Sequence, residues 1–339
     1  MGAKLRKRLL MAAGVVALAL CGAFVYWQWY WQPRFPETPY PQIAASQDPR
    51  TIREGEYLVK AVAHCTNCHL PKGVILDTSP EATWRLIPSG GGEWDLGAVG
   101  TLYSPNLTSD VATGLGGWSD AQIARAIRYG IDRDGRALIY MIGVGPMDDR
   151  DLRAIVSYLR ILQPVKARIP ESQITFEGTF ILRTEMPGLI QPKPQFPVAY
   201  APPGGISIAR GAYLANGPAM CFSCHSNEIL YPSLAVDGPR FAGSLQPYPD
   251  PDNPTMEINA PNLTPSAKYG HLNGWTEQQF VLRIRAGRAI KNSAMPWENF
   301  RLMTDTDLIS VFRYLRSLKP VDRDVGPDYR PVGWKPTSF

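Results

Sequence analysis

"AVAHCTNCHLPKG", residues 61–73, sets Cys65 and Cys68 three apart with His69 directly behind the second. The pattern returns in "GPAMCFSCHSNE" as Cys221, Cys224 and His225, 156 residues further on. The flanks return with it. Gly55, Tyr57 and Leu58 precede Cys65 at the same distances at which Gly211, Tyr213 and Leu214 precede Cys221. "SPNLT" (104–108) recurs as "APNLT" (260–264), each proline 40 residues after the first cysteine of its pair. "GWS" at 117–119 matches "GWT" at 274–276. "MDDRDLRAIVSYLRIL" from Met147 matches "MTDTDLISVFRYLRSL" from Met303. Self-similarity at a fixed offset decides the architecture, a tandem duplication.

Repeat one is set at 51–165 and repeat two at 205–322. Residues 166–204 form a proline-rich connector expected to wrap over both, and 323–339 a proline-rich tail. Within each repeat, residues 51–64 and 207–220 read as helices running into the cysteines. Residues 119–129 and 276–286 read as helices capped by Ser119 and Thr276, and 149–163 and 305–318 as amphipathic helices with Asp in the first turn. Strand signals are few. The expected fold is mostly α: two tandem helical domains with long loops, since 32 prolines and 30 glycines must be housed. Gly55 with Tyr158, and Gly211 with Tyr314, mark a close crossing of first and last helices.

The N-terminus reads separately. Lys4, Arg6, Lys7 and Arg8 supply four of the five net positive charges, so the rest of the chain is near neutral. No basic patch or motif points to nucleic acid. Leu9–Trp31 is an uncharged run of 23 residues, about 34 Å as a helix against a bilayer core of about 30 Å. It is expected to be a single-pass anchor at 9–31, with a basic cytoplasmic segment at 1–8 and a stiff proline-rich spacer at 32–50. Tyr26, Trp27, Trp29, Tyr30 and Trp31 crowd the far end as an interfacial belt. A cleaved signal peptide ending in "ALA" (17–19) is the competing reading, but the apolar run continues a dozen residues past it. Cys21 follows a leucine too large for a lipoprotein site and reads as a membrane cysteine. The expected location is the bacterial inner membrane, with both repeats on the periplasmic side.

Three chemistries compete for the cysteine motifs. Zinc sites on C-x-x-C bring a second ligand pair within about 12–20 residues, and here the pairs stand 156 apart. A redox disulfide needs no histidine. Covalent haem c needs all three residues: two thiols one helical turn apart for the two vinyl groups, and the next imidazole for the iron. Two such motifs in matched frames predict two covalently bound haem c groups, on Cys65/Cys68 and Cys221/Cys224, with His69 and His225 as axial ligands. Small helical units with long loops also profit from a large buried apolar cofactor.

The sixth ligand is ordinarily Met or His. His64 is too close in sequence to Cys65 to reach the opposite haem face, and His271 has no counterpart in repeat one and reads as a solvated loop residue. Each repeat then offers two methionines. Met147 and Met303 stand at the start of the last helix, where an apolar staple is the ordinary role. Met141 and Met295 lie in loops and are preferred, with Met147 and Met303 as runners-up; "GVGPM" (143–147) is the alternative ligand loop in repeat one. Trp118 and Trp275 read either as haem neighbours or as core. Asn106 and Asn262 read either as loop holders beside the haem or as turn formers. The Pro71 carbonyl is the expected partner for the other ring nitrogen of His69, with no matching proline so near in repeat two.

"GGGEWDLGAVGTLYSPNLTSDVATGLGGWSDAQIARAIRYGIDRDGRAL" resembles the cytochrome c subunits of bacterial membrane-bound alcohol and gluconate dehydrogenases, over about residues 50–320. The resemblance implies tandem class I cytochrome c domains facing the periplasm. It implies His69 and His225 as proximal ligands, Met295 in its Met-Pro as a distal one, and Met141 in the corresponding place. It also implies electron transfer from a partner dehydrogenase toward quinone or a terminal oxidase. Those subunits typically hold three haems, whereas this chain has two motifs and an N-terminal anchor.

The expected function is therefore a membrane-anchored dihaem relay that does no bond chemistry. Its expected partners are redox proteins: a dehydrogenase, a quinol-oxidising complex or a terminal oxidase. The alternative is a dihaem peroxidase-like enzyme with one open haem, against which the near-symmetry of the repeats speaks. A dihaem thiol or thiosulfate oxidase with a Cys ligand would need a spare cysteine, and the only one, Cys21, lies in the apolar run.

Overall fold

The computed structural model describes residues 2–74, 79–139, 141, 146–193, 200–227, 229–230 and 235–336. Helices are α1 (Ala3–Tyr30), α2 (Pro49–Tyr57), α3 (Cys65–Cys68), α4 (Pro80–Trp84), α5 (Asp120–Tyr129), α6 (Asp149–Ile161), α7 (Phe176–Thr184), α8 (Ile208–Asn216), α9 (Cys221–Cys224), α10 (Glu277–Arg285), α11 (Trp297–Phe300) and α12 (Asp305–Ser317). Strands are short: β1 (Glu93–Asp95), β2 (Gly100–Tyr103), β3 (Gln173–Ile174), β4 (Ile229–Leu230), β5 (Ala235–Val236), β6 (Tyr248–Asp250), β7 (Asn253–Ile258) and β8 (Tyr329–Pro331).

The expected helix starts hold. Ser119 and Thr276 each close a reciprocal capping box with Gln122 and Gln279. Asp148 and Thr304 cap the last helix of each repeat. In each repeat the first helix crosses the last at a glycine. A Cβ on Gly55 would stand 1.9 Å from the Ala154 carbonyl oxygen, and one on Gly211 1.9 Å from that of Ser310. Only hydrogen fits there, so Gly55/Tyr158 and Gly211/Tyr314 do mark the crossings.

Each repeat also carries a three-stranded antiparallel sheet, β1-β2-β3 and β6-β7-β8. The third strand comes from the connector in one case and from the tail in the other, in equivalent places, with the pairing shifted by one residue between the two repeats. Both repeats thus reach past the boundaries read from the sequence. Strands this short leave no alternation to see. The connector adds α7, which packs its Leu182 with Val99, Leu189 and Ile190 into a small core that Trp31 also joins.

Residues 32–50 lie along repeat one rather than standing off it as a strut. Phe35 N–H donates to the Gly135 carbonyl, Ala45 N–H to Asp120, and Ser46 N–H to the Ser157 hydroxyl. One continuous apolar core runs through both repeats, from Ile43 and Leu58 to Leu308 and Leu315.

Candidate haem sites

Both motifs adopt one geometry. The helices expected to run into the cysteines stop short of them, at Val62 in repeat one and Asn216 in repeat two. The residue before the first cysteine is left-handed, His64 at φ 39° and Met220 at φ 49°, and starts a single new turn, α3 or α9. The His69 N–H closes that turn on the Cys65 carbonyl at 2.9 Å, and His225 on Cys221 at 3.1 Å. Two thiols and an imidazole therefore leave one short segment in the same order at both sites, and all four thiols are free.

The imidazoles are oriented from across the loop. His69 Nδ1 donates to the Pro105 carbonyl at 2.9 Å, and His225 Nδ1 to the Pro261 carbonyl at 3.0 Å. A carbonyl only accepts, so Nδ1 holds the proton and Nε2 keeps a free lone pair, the form that ligates iron. This corrects the expectation of Pro71. The orienting proline is 36 residues away, in "PNLT", and both repeats have it. That recurrence was visible in the sequence, but closeness along the chain favoured the wrong proline.

The PNLT carbonyl is itself held. Asn106 Oδ1 accepts from Thr108 N–H and hydroxyl while its Nδ2 donates to the Val165 carbonyl at 2.8 Å. Asn262 does the same with Thr264 and the Val321 carbonyl. Both asparagines are fully buried, so they are turn formers and loop holders at once. Gly90 and Gly243, at φ +77° and +81°, donate to the His69 and His225 carbonyls. A Cβ there would meet the PNLT backbone at 2.5 and 2.9 Å.

Electrostatics separate the three chemistries. Burial pushes the Cys65 and Cys221 thiols up to about 12, with the second cysteine of each pair adding to it. A redox dithiol needs a lowered thiol instead. Among the described residues no three His, Cys, Asp or Glu side chains converge as a zinc cage would. Burial lowers His69, and lowers His225 to about 4, so both imidazoles are neutral. The donor set fits haem c: two free thiols to attach the ring and one neutral, oriented imidazole for the iron. Bound there, haem supplies a one-electron iron couple.

The methionines divide as their surroundings differ. Met147 and Met303 are 1% and 3% exposed and belong to the central core. Their carbonyls accept from Arg128 and Arg285, which also pair with Asp149 and Asp305. Met295 and Met141 are half-buried in loops. Arg288 ties the Met295 loop: its guanidinium pairs with buried Glu298 at 2.6 Å and reaches the Ser293 and Met295 carbonyls. The Met141 carbonyl accepts from Lys193, an amine that burial lowers to about 8. Ile142 and most of "GVGPM" lie outside the described residues.

The other candidates sit as follows. The carbonyl of Trp118 accepts from Arg160, and its ring joins the edge of the core, as that of Trp275 does. His271 faces Asp328 at 3.7 Å, and its ring lies tilted beside that of Trp275, 5.8 Å between centroids. The ring of His64 stands edge-on to Phe300 of repeat two.

That last contact belongs to an interface whose two ends mirror each other. Tyr57 hydroxyl donates to Asp307 at 2.7 Å, and Tyr213 hydroxyl to Asp151 at 2.5 Å. Each tyrosine oxygen also accepts a helix N-terminal N–H, from Thr304 and Asp148 respectively, both at 3.2 Å. All these pairs keep the 156-residue offset, so the duplicated units pack about a pseudo-twofold axis as an isologous dimer would. Beside it, fully buried Asn299 of α11 donates to Thr66 at 2.7 Å and to the Lys60 carbonyl at 2.6 Å. Thr66 lies between Cys65 and Cys68, so the Met295 loop of repeat two rests on the attachment turn of repeat one. Nothing in the sequence pattern pointed to Asn299.

Two Cys–x–x–Cys–His turns with carbonyl-oriented histidines are the arrangement by which c-type cytochromes hold haem. Cytochrome c subunits are among the chain's relatives. It is 28% identical to the cytochrome c subunit of alcohol dehydrogenase (quinone) of Gluconacetobacter polyoxogenes over 298 residues, 82% of this chain and 58% of that subunit. It is 28% identical to the gluconate 2-dehydrogenase cytochrome c subunit of Pantoea cypripedii over 293 residues, 80% of this chain and 60% of that one. A "diheme cytochrome c-type" protein of Cereibacter sphaeroides is 28% identical over 227 residues, 64% of this chain and 69% of that one. No family model matches the chain. Its homologues are thus cytochrome c subunits of alcohol, gluconate and fructose dehydrogenases and a diheme cytochrome c. The chain spans 58% of the length of the alcohol dehydrogenase subunit it matches.

Proposed function

We propose that the chain is a membrane-anchored dihaem c-type cytochrome that relays electrons from a dehydrogenase or quinol-oxidising partner to a downstream acceptor such as a terminal oxidase. Its two repeats are tandem class I-like cytochrome c domains. Cys65/Cys68 and Cys221/Cys224 carry the haems, with His69/Met141 and His225/Met295 as axial pairs. The observation that carries the reading is the matched pair of His–Pro carbonyl bonds beside unpaired thiols, at both ends of a 156-residue frame. The burial of Met147 and Met303 in the core supports the loop methionines as ligands. The relatives' printed names support the relay role.

Residues 4–27 form one helix long and apolar enough to cross a membrane, and the basic residues in its first turns, Lys4 to Arg8, support a cytoplasmic N-terminus with the repeats on the periplasmic side. The intact mass of the purified protein is expected to exceed the polypeptide by two haems. Cys221→Ser with Cys224→Ser is expected to leave one haem, on repeat one. A wild-type mass with one haem or none overturns the reading.

A further inference from the structure

Connector helix α7 presents an apolar face that repeat one does not cover. Phe176 and Phe180, four apart and so on one side of the helix, are 54% and 52% exposed. The opposite side, Gly178 and Leu182, is packed inward. What lies beside that face identifies its occupant. The Phe176 ring stands 5.4 Å from that of Phe24 on α1. Thr179 hydroxyl accepts from the Trp27 indole N–H at 2.5 Å, and the Arg183 guanidinium lies 4.9 Å over the Trp27 ring.

Depth along α1 follows from helix rise. Phe24 is 15 residues beyond Leu9, about 22 Å into a bilayer core of about 30 Å. Phe24, itself half exposed, is then inside the outer part of the hydrocarbon, and a side chain touching it is at the same depth. Trp27 and Arg183 lie where an interfacial aromatic and a snorkelling cation belong.

We propose that α7 is a second membrane element: a short helix lying in the outer leaflet against α1, with Phe176 and Phe180 inserted among the acyl chains. The proposal rests on α1 being retained as an anchor. It fixes the orientation of repeat one on the bilayer, since residues 32–50 and α7 both bind the head to the end of α1.

The test uses the full-length haem-loaded protein in vesicles of phosphatidylcholine and phosphatidylglycerol containing a lipid with a photoactivatable diazirine in its acyl chain. After illumination, lipid adducts are mapped by mass spectrometry. Adducts are expected on α1 and on the tryptic peptide Ile169–Arg183. Phe176→Ser with Phe180→Ser is expected to lose the Ile169–Arg183 adducts and keep those on α1, with an unchanged haem spectrum reporting the fold. Labelling of α1 alone in the wild type overturns the proposal and leaves the anchor standing. An intact mass lacking the first 19 residues overturns the anchor, and the proposal with it.

Discussion

Repeats one and two share a frame and differ in how each holds its methionine loop. In repeat two, Met295 precedes a proline, Arg288 clamps the loop through Glu298, and Asn299 plants its far end on repeat one. In repeat one, the Met141 carbonyl meets Lys193 from the connector. The interface also differs on its two sides. Arg210 pairs with buried Asp307 at 2.8 Å, while the position 156 residues earlier is Glu54, which adds negative charge near Asp151. Duplication has kept what attaches and orients a haem and varied what surrounds it. Under the proposed function, two haems in such unlike electrostatic and mechanical settings are expected to differ in potential.

The largest expected effect is on ligation. Met295→Ala should open one haem, make it partly high-spin, weaken the far-red sulfur-to-iron band and lower that haem's potential, because thioether ligation favours ferrous iron. Met303→Ala should leave the spectrum intact and cost about 2–5 kcal/mol of stability as a core truncation. Met141→Ala against Met147→Ala is the same contrast in repeat one. Absorption and redox titration read the first member of each pair, and thermal unfolding the second. If Met303→Ala changes ligation and Met295→Ala does not, the assignment of the loops is reversed.

Next comes the helix crossing, where the repeats should behave alike. Gly55→Ala and Gly211→Ala each push a methyl to 1.9 Å from a carbonyl oxygen, so the helices must part. Each is expected to cost about 3 kcal/mol, the upper end for overpacking, since backbone cannot yield as a side chain does. Unequal losses in thermal unfolding would break the equivalence of the two crossings.

Asn299→Ala tests the asymmetry directly. It removes two buried hydrogen bonds between the repeats and leaves the Thr66 hydroxyl and Lys60 carbonyl short of a donor, a loss of about 1–3 kcal/mol. Because the brace joins the Met295 loop to the Cys65–Cys68 turn, both haem potentials are expected to move, whereas a change confined to one repeat would move one. Redox titration of the variant with both haems resolved checks this.

How much of this the sequence carried follows from where periodicity and repetition operate. The duplication, the capped helices, the Cys–x–x–Cys–His turns and the glycine crossings are local or repeated patterns, and each was readable. The three-stranded sheets were not, because their strands run two to six residues and their third members lie outside the repeats as read. The role of Pro105 and Pro261 was half visible: their recurrence stood out, yet only the folded loop brings them to the histidines. Asn299 and the Tyr57–Asp307 and Tyr213–Asp151 pairs join positions more than 60 residues apart. No motif announces such contacts; packing of one repeat on the other creates them.

The smallest expected effect is on pH dependence, and it separates the two sides of the interface. Burial raises the Asp151 carboxyl above its ordinary 3.8, against the Tyr213 hydrogen bond and the Arg210 charge, which favour ionisation. A carboxyl raised in the folded state holds its proton better there than in the unfolded chain. The penalty is therefore absent below the ordinary value, grows as pH rises through the raised folded value, and is constant above it. Neighbouring Asp148 is lowered by Arg150 and two backbone N–H groups, although burial opposes this, and so contributes with the opposite sign. Asp151→Asn removes the charge while its amide oxygen still offers an acceptor to the Tyr213 hydroxyl. The variant should unfold a few degrees higher than wild type at neutral pH, and the gap should close as pH falls toward the ordinary carboxylate range. A gap that is the same at every pH, or of reversed sign, would show that the Arg210 charge fully offsets the burial of Asp151, and that the two sides of the pseudo-twofold interface are electrostatically equivalent after all.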